Sequence, residues 1–128
     1  MPPTKAVLFQ EADGSVPLVE WLAGQTKRMR AKCIAAIRRL GELGHEMHRP
    51  GADYLRDGIY ELRLALGGIR YRVLYFFHGR TTVVLSHGFA KGQSKVPHSE
   101  IEQAIRRKNL YTGNPDVHTV KDETPWPE

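Results

Sequence analysis

The stretch IYELRLALGGIRYRVLYFFHGRTTVVLSHGFAK, residues 59–91, decides the fold class. Apolar and polar residues alternate along it with a period of two, which is the spacing of a half-buried β-strand. Gly67-Gly68 and residues 78–80 interrupt the alternation, and both have the composition of tight turns. The stretch therefore predicts three consecutive antiparallel strands joined by short turns.

The flanking segments predict one more strand and three helices. Residues 5–9 suit a short strand, a capped helix can follow Ser15, and residues 25–43 place an apolar stripe on one helix face with basic residues on the other. After the three strands, Ser99 and Glu102 fit the capping box of a last helix. The predicted order is β-α-α-β-β-β-α. This is an α+β fold with helices on one face of a twisted antiparallel sheet and a second, partly open face.

Length and composition indicate a single soluble domain. A chain of 128 residues with 41% hydrophobic residues can bury one modest core. It has no stretch long enough to span a membrane and no signal-peptide pattern at its start, so we expect a cytoplasmic protein without a membrane partner. The single cysteine, Cys33, excludes an internal disulfide. His45 and His48 lack the spacing of a zinc motif, and we expect neither a metal nor a cofactor.

The net charge of +5 is unevenly distributed. Residues 112–128 contain four acidic residues and one lysine, which leaves +8 on residues 1–111. A body this basic favours a polyanionic partner such as nucleic acid. We expect residues 1–111 to form the domain and residues 112–128 to be an extended, acidic, proline-containing tail. A further hypothesis is that Trp126 anchors this tail on a basic surface, where it weakens nucleic-acid binding.

The polar positions of the three strands carry charges of mainly one sign. Arg63, Arg70, Arg72 and Lys91 are accompanied by a single acid, Glu61. If the hairpin is in register, strand alternation places Glu61 and Arg63 on the same face as the two later arginines. The open face of the sheet would then bind phosphate groups.

Four segments in this region resemble, in this order and at this spacing, the motifs of a known family: LRDGIYELR, YRVLYFF, VLSHGFAK and KVPHSEIEQAIRR. From Leu55 to Tyr111 the chain resembles the HigB-like, phage-derived branch of the RelE toxin superfamily. The resemblance implies a RelE-like fold and the toxin of a type II toxin–antitoxin system. It further implies a metal-independent endoribonuclease that cleaves mRNA in the ribosomal A site and inhibits translation. The implied partners are the ribosome, mRNA and a cognate HigA-like helix-turn-helix antitoxin.

Such cleavage needs a base for the 2′-hydroxyl, an acid for the leaving group and cations for the transition state. The resemblance places Arg72 at the scissile phosphate and Lys91 at the position of the acid. It places Arg63 where the RelE branch has a lysine assigned as base. An arginine is a poor base, so we expect Arg63 to clamp phosphate. Glu61 and His87 are both candidate bases.

Each candidate base also has a structural interpretation. A carboxylate among arginines is often structural, which leaves the role of Glu61 open. Strand alternation groups His87 with Val83 and Leu85, so a core histidine is as consistent with the pattern as a catalytic one.

Further candidate RNA-binding residues flank the catalytic ones. Tyr54 and Arg56 could stack on or contact RNA, or only anchor the loop before the strands. Arg70 and Lys95 add cations that would bind phosphate. The same residues are compatible with an alternative function, a non-catalytic RNA- or ribosome-binding module, and a third possibility is a basic face that binds an acidic protein.

Overall fold

The computed structural model describes residues 4–92 and 94–127 and confirms an α+β fold. Its elements are β1 (Lys5–Leu8), α1 (Pro17–Ala23), α2 (Lys27–Leu43), a 3-10 turn (Gly44–Glu46), β2 (Ala52–Arg56), β3 (Ile59–Leu66), β4 (Ile69–His78), β5 (Thr82–Ala90), α3 (His98–Gly113) and α4 (Pro115–His118). The five strands form one sheet in the order β1-β5-β4-β3-β2. Strand β1 is parallel to β5, and the other neighbours are antiparallel.

Helices α1 and α2 cover one face of the sheet. The residues that α2 buries are spaced three or four apart, so they form one apolar stripe: Met29, Cys33, Ile37 and Leu40. This stripe packs on alternate residues of the strands, among them Leu62, Val73, Tyr75, Val83 and Leu85. The apolar face of α2 and the apolar face of the strands, both predicted from the sequence, therefore pack together in one core.

Helix α3 packs on the opposite face of the sheet. Ile101, Ala104 and Tyr111 of α3 form a second core with residues that include Leu74 and Phe76 of β4. The expectation that all helices share one face is therefore wrong. Leu74 and Phe76 are the apolar residues of β4 on this second face, and α3 covers them at the end remote from the β3–β4 turn.

Strand β2 is absent from the predicted order. It is an edge strand of five residues that pairs only with β3, through a turn at Asp57 and Gly58 with φ values of 52° and 82°. Both turn residues adopt the left-handed conformation that an Asp-Gly pair accommodates in tight hairpins. This dipeptide was the signal in the sequence that could have revealed the strand.

Two predicted helix caps are also wrong. Helix α3 begins at His98 without a side-chain cap, so Ser99 lies inside its first turn. Helix α1 begins at Pro17, and the hydroxyl of Ser15 instead donates a hydrogen bond to Asp13 at 2.7 Å. In α2 the side chain of Thr26 caps the helix by accepting from the backbone N–H of Met29.

The chain after Tyr111 is more structured than expected. Helix α3 continues to Gly113, α4 follows it, and Thr119 then pairs with Phe9 beside β1. Trp126 packs against the first core, as its proposed role as an anchor requires. Residues 119–123, 125 and 126 line a cavity of about 440 Å³ along β1, at the opposite edge of the sheet from β2.

Candidate functional site

Four basic side chains lie together on the second face of the sheet, beyond the part that α3 covers. Arg63 of β3 pairs directly with Arg72 of β4, and Arg70 lies two residues before Arg72 on the same strand. The backbone N–H of Lys91 donates to the carbonyl oxygen of Arg70 at 2.8 Å, which places Lys91 in the next position across the sheet. The predicted hairpin register is confirmed. These four residues are called the cation face below.

Glu61 is the acid in contact with this face. Its carboxylate accepts a hydrogen bond from Nε of Arg72 at 3.1 Å and lies 3.6 Å from Nε of Arg63. Glu61 and Arg72 are 5% and 2% exposed, so their ion pair is buried. Burial lowers the pKa of Arg72, as do Arg63 and Arg70, while the charge of Glu61 raises it. Arginine nevertheless stays cationic, because its unperturbed pKa lies far above neutral pH.

A cleft of about 350 Å³ opens beside the cation face, between β2, β3 and the segment that leads into α3. Six of the residues that the sequence singled out line it: Tyr54, Arg56, Glu61, Arg63, Lys91 and Lys95. A second, shallower cleft of about 290 Å³ lies on the other side of Arg63 and includes Arg70 and Arg72 in its wall. The structure therefore brings eight of the nine predicted site residues to two adjoining clefts.

Lys91 has the electrostatic environment of a proton donor. Its ammonium donates a hydrogen bond to the carbonyl oxygen of Ser94 at 3.0 Å. Desolvation and the charges of Arg72 and Arg70 lower its pKa from the usual value. A lysine with a lowered pKa gives up its proton more readily than an ordinary one, which suits a general acid.

His87 is the ninth predicted residue, and it does not line either cleft. A β-bulge places an extra residue, Ser86, in β5, because Leu74 is opposite His87 whereas Tyr75 is opposite Leu85. The bulge reverses the alternation, so His87 lies on the second face under α3. The predicted grouping of His87 with Leu85 is therefore wrong, since a bulge cannot be read from alternation.

The ring of His87 has partners on both sides, the buried Ser86 and Arg107 at Nδ1 and the partly exposed Glu100 at Nε2. Nη1 of Arg107 donates to Nδ1 at 3.0 Å, the Ser86 hydroxyl lies 2.8 Å from the same nitrogen, and Nε2 lies 3.2 Å from Glu100. Burial, with a smaller contribution from Arg107, lowers the pKa of His87 to about 4. The ring is thus neutral near pH 7. Because Nδ1 accepts from Arg107, the single ring proton is on Nε2, which donates to the carboxylate of Glu100.

The aromatic and basic residues at the mouth of the cleft differ in availability. Tyr54 is 52% exposed, and its ring meets the edge of Tyr60 with centroids 5.0 Å apart. Arg56 is engaged in ion pairs with Asp57 at 2.6 Å and with Glu102 of α3 at 2.8 Å. Arg56 therefore fixes the end of β2 to α3, whereas Tyr54 presents a ring to solvent at the rim.

Two further residues of the cleft were not recognised in the sequence. Arg49 and Asp53 both line it and form an ion pair at 2.7 Å, which lowers the pKa of Asp53 mainly through the hydrogen bond from Arg49. They lie in and before β2, the strand that was not predicted. Without that strand nothing in the sequence placed them near Arg63.

Nothing in the described part of the chain resembles a metal site: residues 4–92 and 94–127 contain no group of three or more His, Cys, Asp or Glu side chains that could hold an ion. The ring of His45 instead stacks on Phe77, with centroids 3.6 Å apart. In the same residues no helix has the length and apolarity needed to cross a membrane.

The chain matches a known protein family. A family model described as phage derived protein Gp49-like (DUF891) matches residues 20–109, which extend from α1 to α3 and include the whole cation face. No curated protein matches the chain.

Proposed function

Because this chain belongs to the Gp49-like family, a RelE-like family of toxin-like modules of toxin–antitoxin systems, we propose that it is a toxin that cleaves messenger RNA on the ribosome. The observation that carries the proposal is the cation face, with one carboxylate at its centre and a cleft beside it. Within the superfamily we propose the HigB-like branch, because its motifs are the ones that residues 55–111 resemble.

The charges of the site support an anionic ligand. Side chains of like charge in directly opposed positions on a sheet repel each other, as Arg63 and Arg72 do here. Lys91 and Arg70 add two more positive charges, and Glu61 balances only one. A phosphodiester in the cleft would supply the anion that this arrangement lacks.

In the reaction we propose, Arg63 and Arg72 hold the scissile phosphate and stabilise the charge that develops on it. A base removes the proton of the 2′-hydroxyl, and the resulting oxygen attacks phosphorus. The bond to the 5′-oxygen then breaks, and Lys91 donates a proton to that leaving oxygen. The products are a 2′,3′-cyclic phosphate and a free 5′-hydroxyl.

Glu61 is the better supported of the two candidate bases. It lines the cleft and touches both phosphate-binding arginines, whereas both ring nitrogens of His87 are engaged under α3. The cations supply the electrostatic stabilisation, so this chemistry does not require a metal ion. The ribosome would supply the alignment of the 2′-oxygen with phosphorus, and positioning of this kind contributes several kcal/mol to a reaction barrier.

The family also suggests an antitoxin as partner. We propose a HigA-like antitoxin with a helix-turn-helix domain, in a cytoplasmic setting where ribosomes are available. A neighbouring reading frame that encodes such a domain would support this pairing.

A non-catalytic RNA-binding module is the second candidate function. It is favoured by one observation: Glu61 is already bound by two arginines, so in this state it serves as their counterion. A site of this kind could bind RNA without activating a hydroxyl.

The two functions differ in what the purified protein does to translating ribosomes. The toxin is expected to cut mRNA at A-site codons and to cut the same RNA much more slowly when it is free. The binding module would occupy the ribosome without cuts. Lys91→Met provides the matched variant, because it removes the proton donor from the rim of the cleft and should abolish cutting while the protein stays folded. Cutting by this variant at the wild-type rate would contradict the proposed site.

A further inference from the structure

A second group of cations lies on α2, on the other side of the sheet from the cleft. The exposed side of this helix carries five basic residues and one acid, Glu42: the basic residues are Lys27, Arg28, Lys32, Arg38 and Arg39. Among the residues that the structure describes, none of these five forms an ion pair. Elsewhere on the surface cations such as Arg49, Arg106 and Lys121 do have acidic partners.

The charges on α2 are placed against the stability of the helix. Its first turn contains Lys27 and Arg28 but no acidic residue, and its last turn contains no basic one. The helix dipole favours the opposite arrangement, with acids at the start and cations at the end. Arg28 and Lys32 are also four residues apart, a spacing at which like charges repel. An anionic ligand would relieve both unfavourable interactions.

The flank of α2 that carries most of this charge faces the side of the molecule where the cleft opens. Gly41 packs against Ala6 of β1, so the flank of α2 that contains Gly41 faces the β1 edge of the sheet, away from the cleft. Arg39 instead lines a cleft of about 270 Å³ together with residues 46–51, the loop that leads to β2. Arg28 and Lys32 share the flank of Arg39, because residues spaced by four, seven and eleven lie on one side of a helix.

Arg49 connects the two basic regions. It lines the cleft that contains Arg39 and also the candidate site cleft that contains Glu61 and Arg63. Its side chain is 73% exposed and would be reachable by a ligand that passes around the edge strand β2. Cations therefore extend from the cation face, past Arg49 and its partner Asp53, onto α2, and Glu46 is the acid in the wall of the cleft that Arg39 lines.

We infer that RNA bound in the candidate cleft continues over Arg49 onto the flank of α2 formed by Arg28, Lys32 and Arg39. The occupant is the sugar–phosphate backbone of a polynucleotide, because Arg28, Lys32 and Arg39 offer point charges spaced along the helix, which suits phosphate contacts and not base recognition. This second contact rests on the RNA binding proposed above, but it does not depend on cleavage.

The length of the RNA separates the two contacts. The probes are 2′-O-methyl RNAs, which have no free 2′-hydroxyl and so cannot be cut, of about 5 and about 25 nucleotides, since single-strand binding sites span roughly 4–16 nucleotides. The test variant is Lys32→Gln/Arg39→Gln. The charge-matched control is Lys5→Gln/Arg80→Gln, which removes two exposed cations at the β1 side of the sheet.

We expect the test variant to bind the long RNA about tenfold more weakly than the wild type, with a salt slope smaller by about 1.4, since each lost phosphate contact on a single strand changes that slope by about 0.7. Its affinity for the short RNA and the long-RNA affinity of the control should stay at wild-type values. If the test variant binds the long RNA with an unchanged salt slope, the RNA path is wrong, and an acidic protein would be the alternative partner of this flank. If both double variants lose the same affinity for the long RNA, or if the test variant loses the same affinity for both RNA lengths, the effect is one of net charge. Either result would also overturn the RNA path. If neither RNA binds any form of the protein, both the cleft and the path are wrong.

Discussion

Arg63 lies directly opposite Arg72 on adjacent strands, and both guanidinium groups contact the carboxylate of Glu61, at 3.6 and 3.1 Å. Because Arg72 is only 2% exposed, its charge has lost most of its contact with water. Glu61 therefore stabilises the buried charge of Arg72 at the cation face. A buried charge that loses its partner is strongly destabilising, whereas removal of both partners costs less.

The first prediction is that the buried pair is energetically coupled. Glu61→Gln leaves Arg72 without its carboxylate and should lower the free energy of unfolding by about 3 kcal/mol. Arg72→Met leaves Glu61 with only the partly exposed Arg63 and should also be destabilising. The double variant should lose less than the sum of the two, by about 1–3 kcal/mol. Urea denaturation measures all three.

Arg70→Gln is the control for this cycle, since Arg70 is exposed and forms no ion pair among the described residues. Its unfolding free energy should change by no more than about 0.5 kcal/mol. Strictly additive losses for Glu61→Gln and Arg72→Met would show that the contact at 3.1 Å contributes nothing to stability.

The second prediction concerns the pH dependence of cleavage. If Lys91 is the general acid, activity requires its protonated form and should fall as pH rises through its pKa. Desolvation and the neighbouring cations lower that pKa, so the fall should begin below the range of an ordinary lysine. Lys91→Arg keeps the positive charge but releases no proton, so the rate should drop about 10²- to 10⁴-fold and the alkaline fall should disappear. A Lys95→Arg control should keep the wild-type profile, and a Lys91→Arg enzyme with wild-type rates would exclude Lys91 as the acid.

The sequence predicted the cation face well because it depends on local periodicity. Strand alternation and the Gly67-Gly68 turn together fix which residues of β3 and β4 share a face, and the structure has that register. The stripe on α2 was predictable for the same reason. Both are regular patterns whose physical basis is the geometry of a single element or hairpin.

What could not be predicted depends on departures from regularity. The extra residue Ser86 in β5 reverses the side on which His87 lies, and alternation alone cannot reveal such a bulge. Strand β2 is short, lies at the sheet edge and begins beside Asp53, a residue type that is rare in strands, so Arg49 and Asp53 were not placed at the site. The docking of residues 115–120 on β1 depends on long-range contacts that no local pattern encodes.

The third prediction uses the buried histidine. Its pKa is about 4 in the folded protein and about 6.5 in an unfolded chain. As pH falls, His87 therefore binds a proton in the unfolded chain at a higher pH than in the folded protein. Stability should decrease between about pH 6.5 and 4 and then level off, with a contribution of up to about 3 kcal/mol from His87. Thermal or urea unfolding across this pH range measures the effect.

His87→Asn is the matched variant, because its side-chain oxygen can accept from Arg107 in place of Nδ1, and it does not titrate in this range. The unfolding free energy of this variant should fall less between pH 6.5 and 4 than that of the wild type. The part of the fall that comes from exposed carboxylates should remain. If wild type and His87→Asn follow the same curve, the acid sensitivity does not come from His87.

The last prediction concerns the C-terminal segment, for which the sequence suggested that truncation would tighten RNA binding. The structure gives a different expectation, because this segment completes the edge of the sheet at β1. The ring of His118 stacks on Phe9 at 5.0 Å, its Nδ1 lies 2.8 Å from the carbonyl oxygen of Gln10, and the hydroxyl of Thr119 donates to that of Tyr111 at 2.9 Å. Truncation after Tyr111 removes all three contacts and exposes Phe9, so it should destabilise the domain by about 3 kcal/mol or more.

A second truncation, after Val120, separates stability from RNA binding. It keeps the pairing with β1 and removes Trp126, which packs against the first core, so the loss in unfolding free energy should be smaller, about 1–2 kcal/mol. Its affinity for RNA and the salt dependence of that affinity should equal those of the full chain, because the removed residues lie at the β1 edge and the cleft lies between β2, β3 and the segment before α3. Tighter, more salt-sensitive binding after this truncation would instead support competition between the acidic tail and RNA. Trp126→Ala provides the control, since it weakens the packing of the tail and leaves all its acidic residues in place.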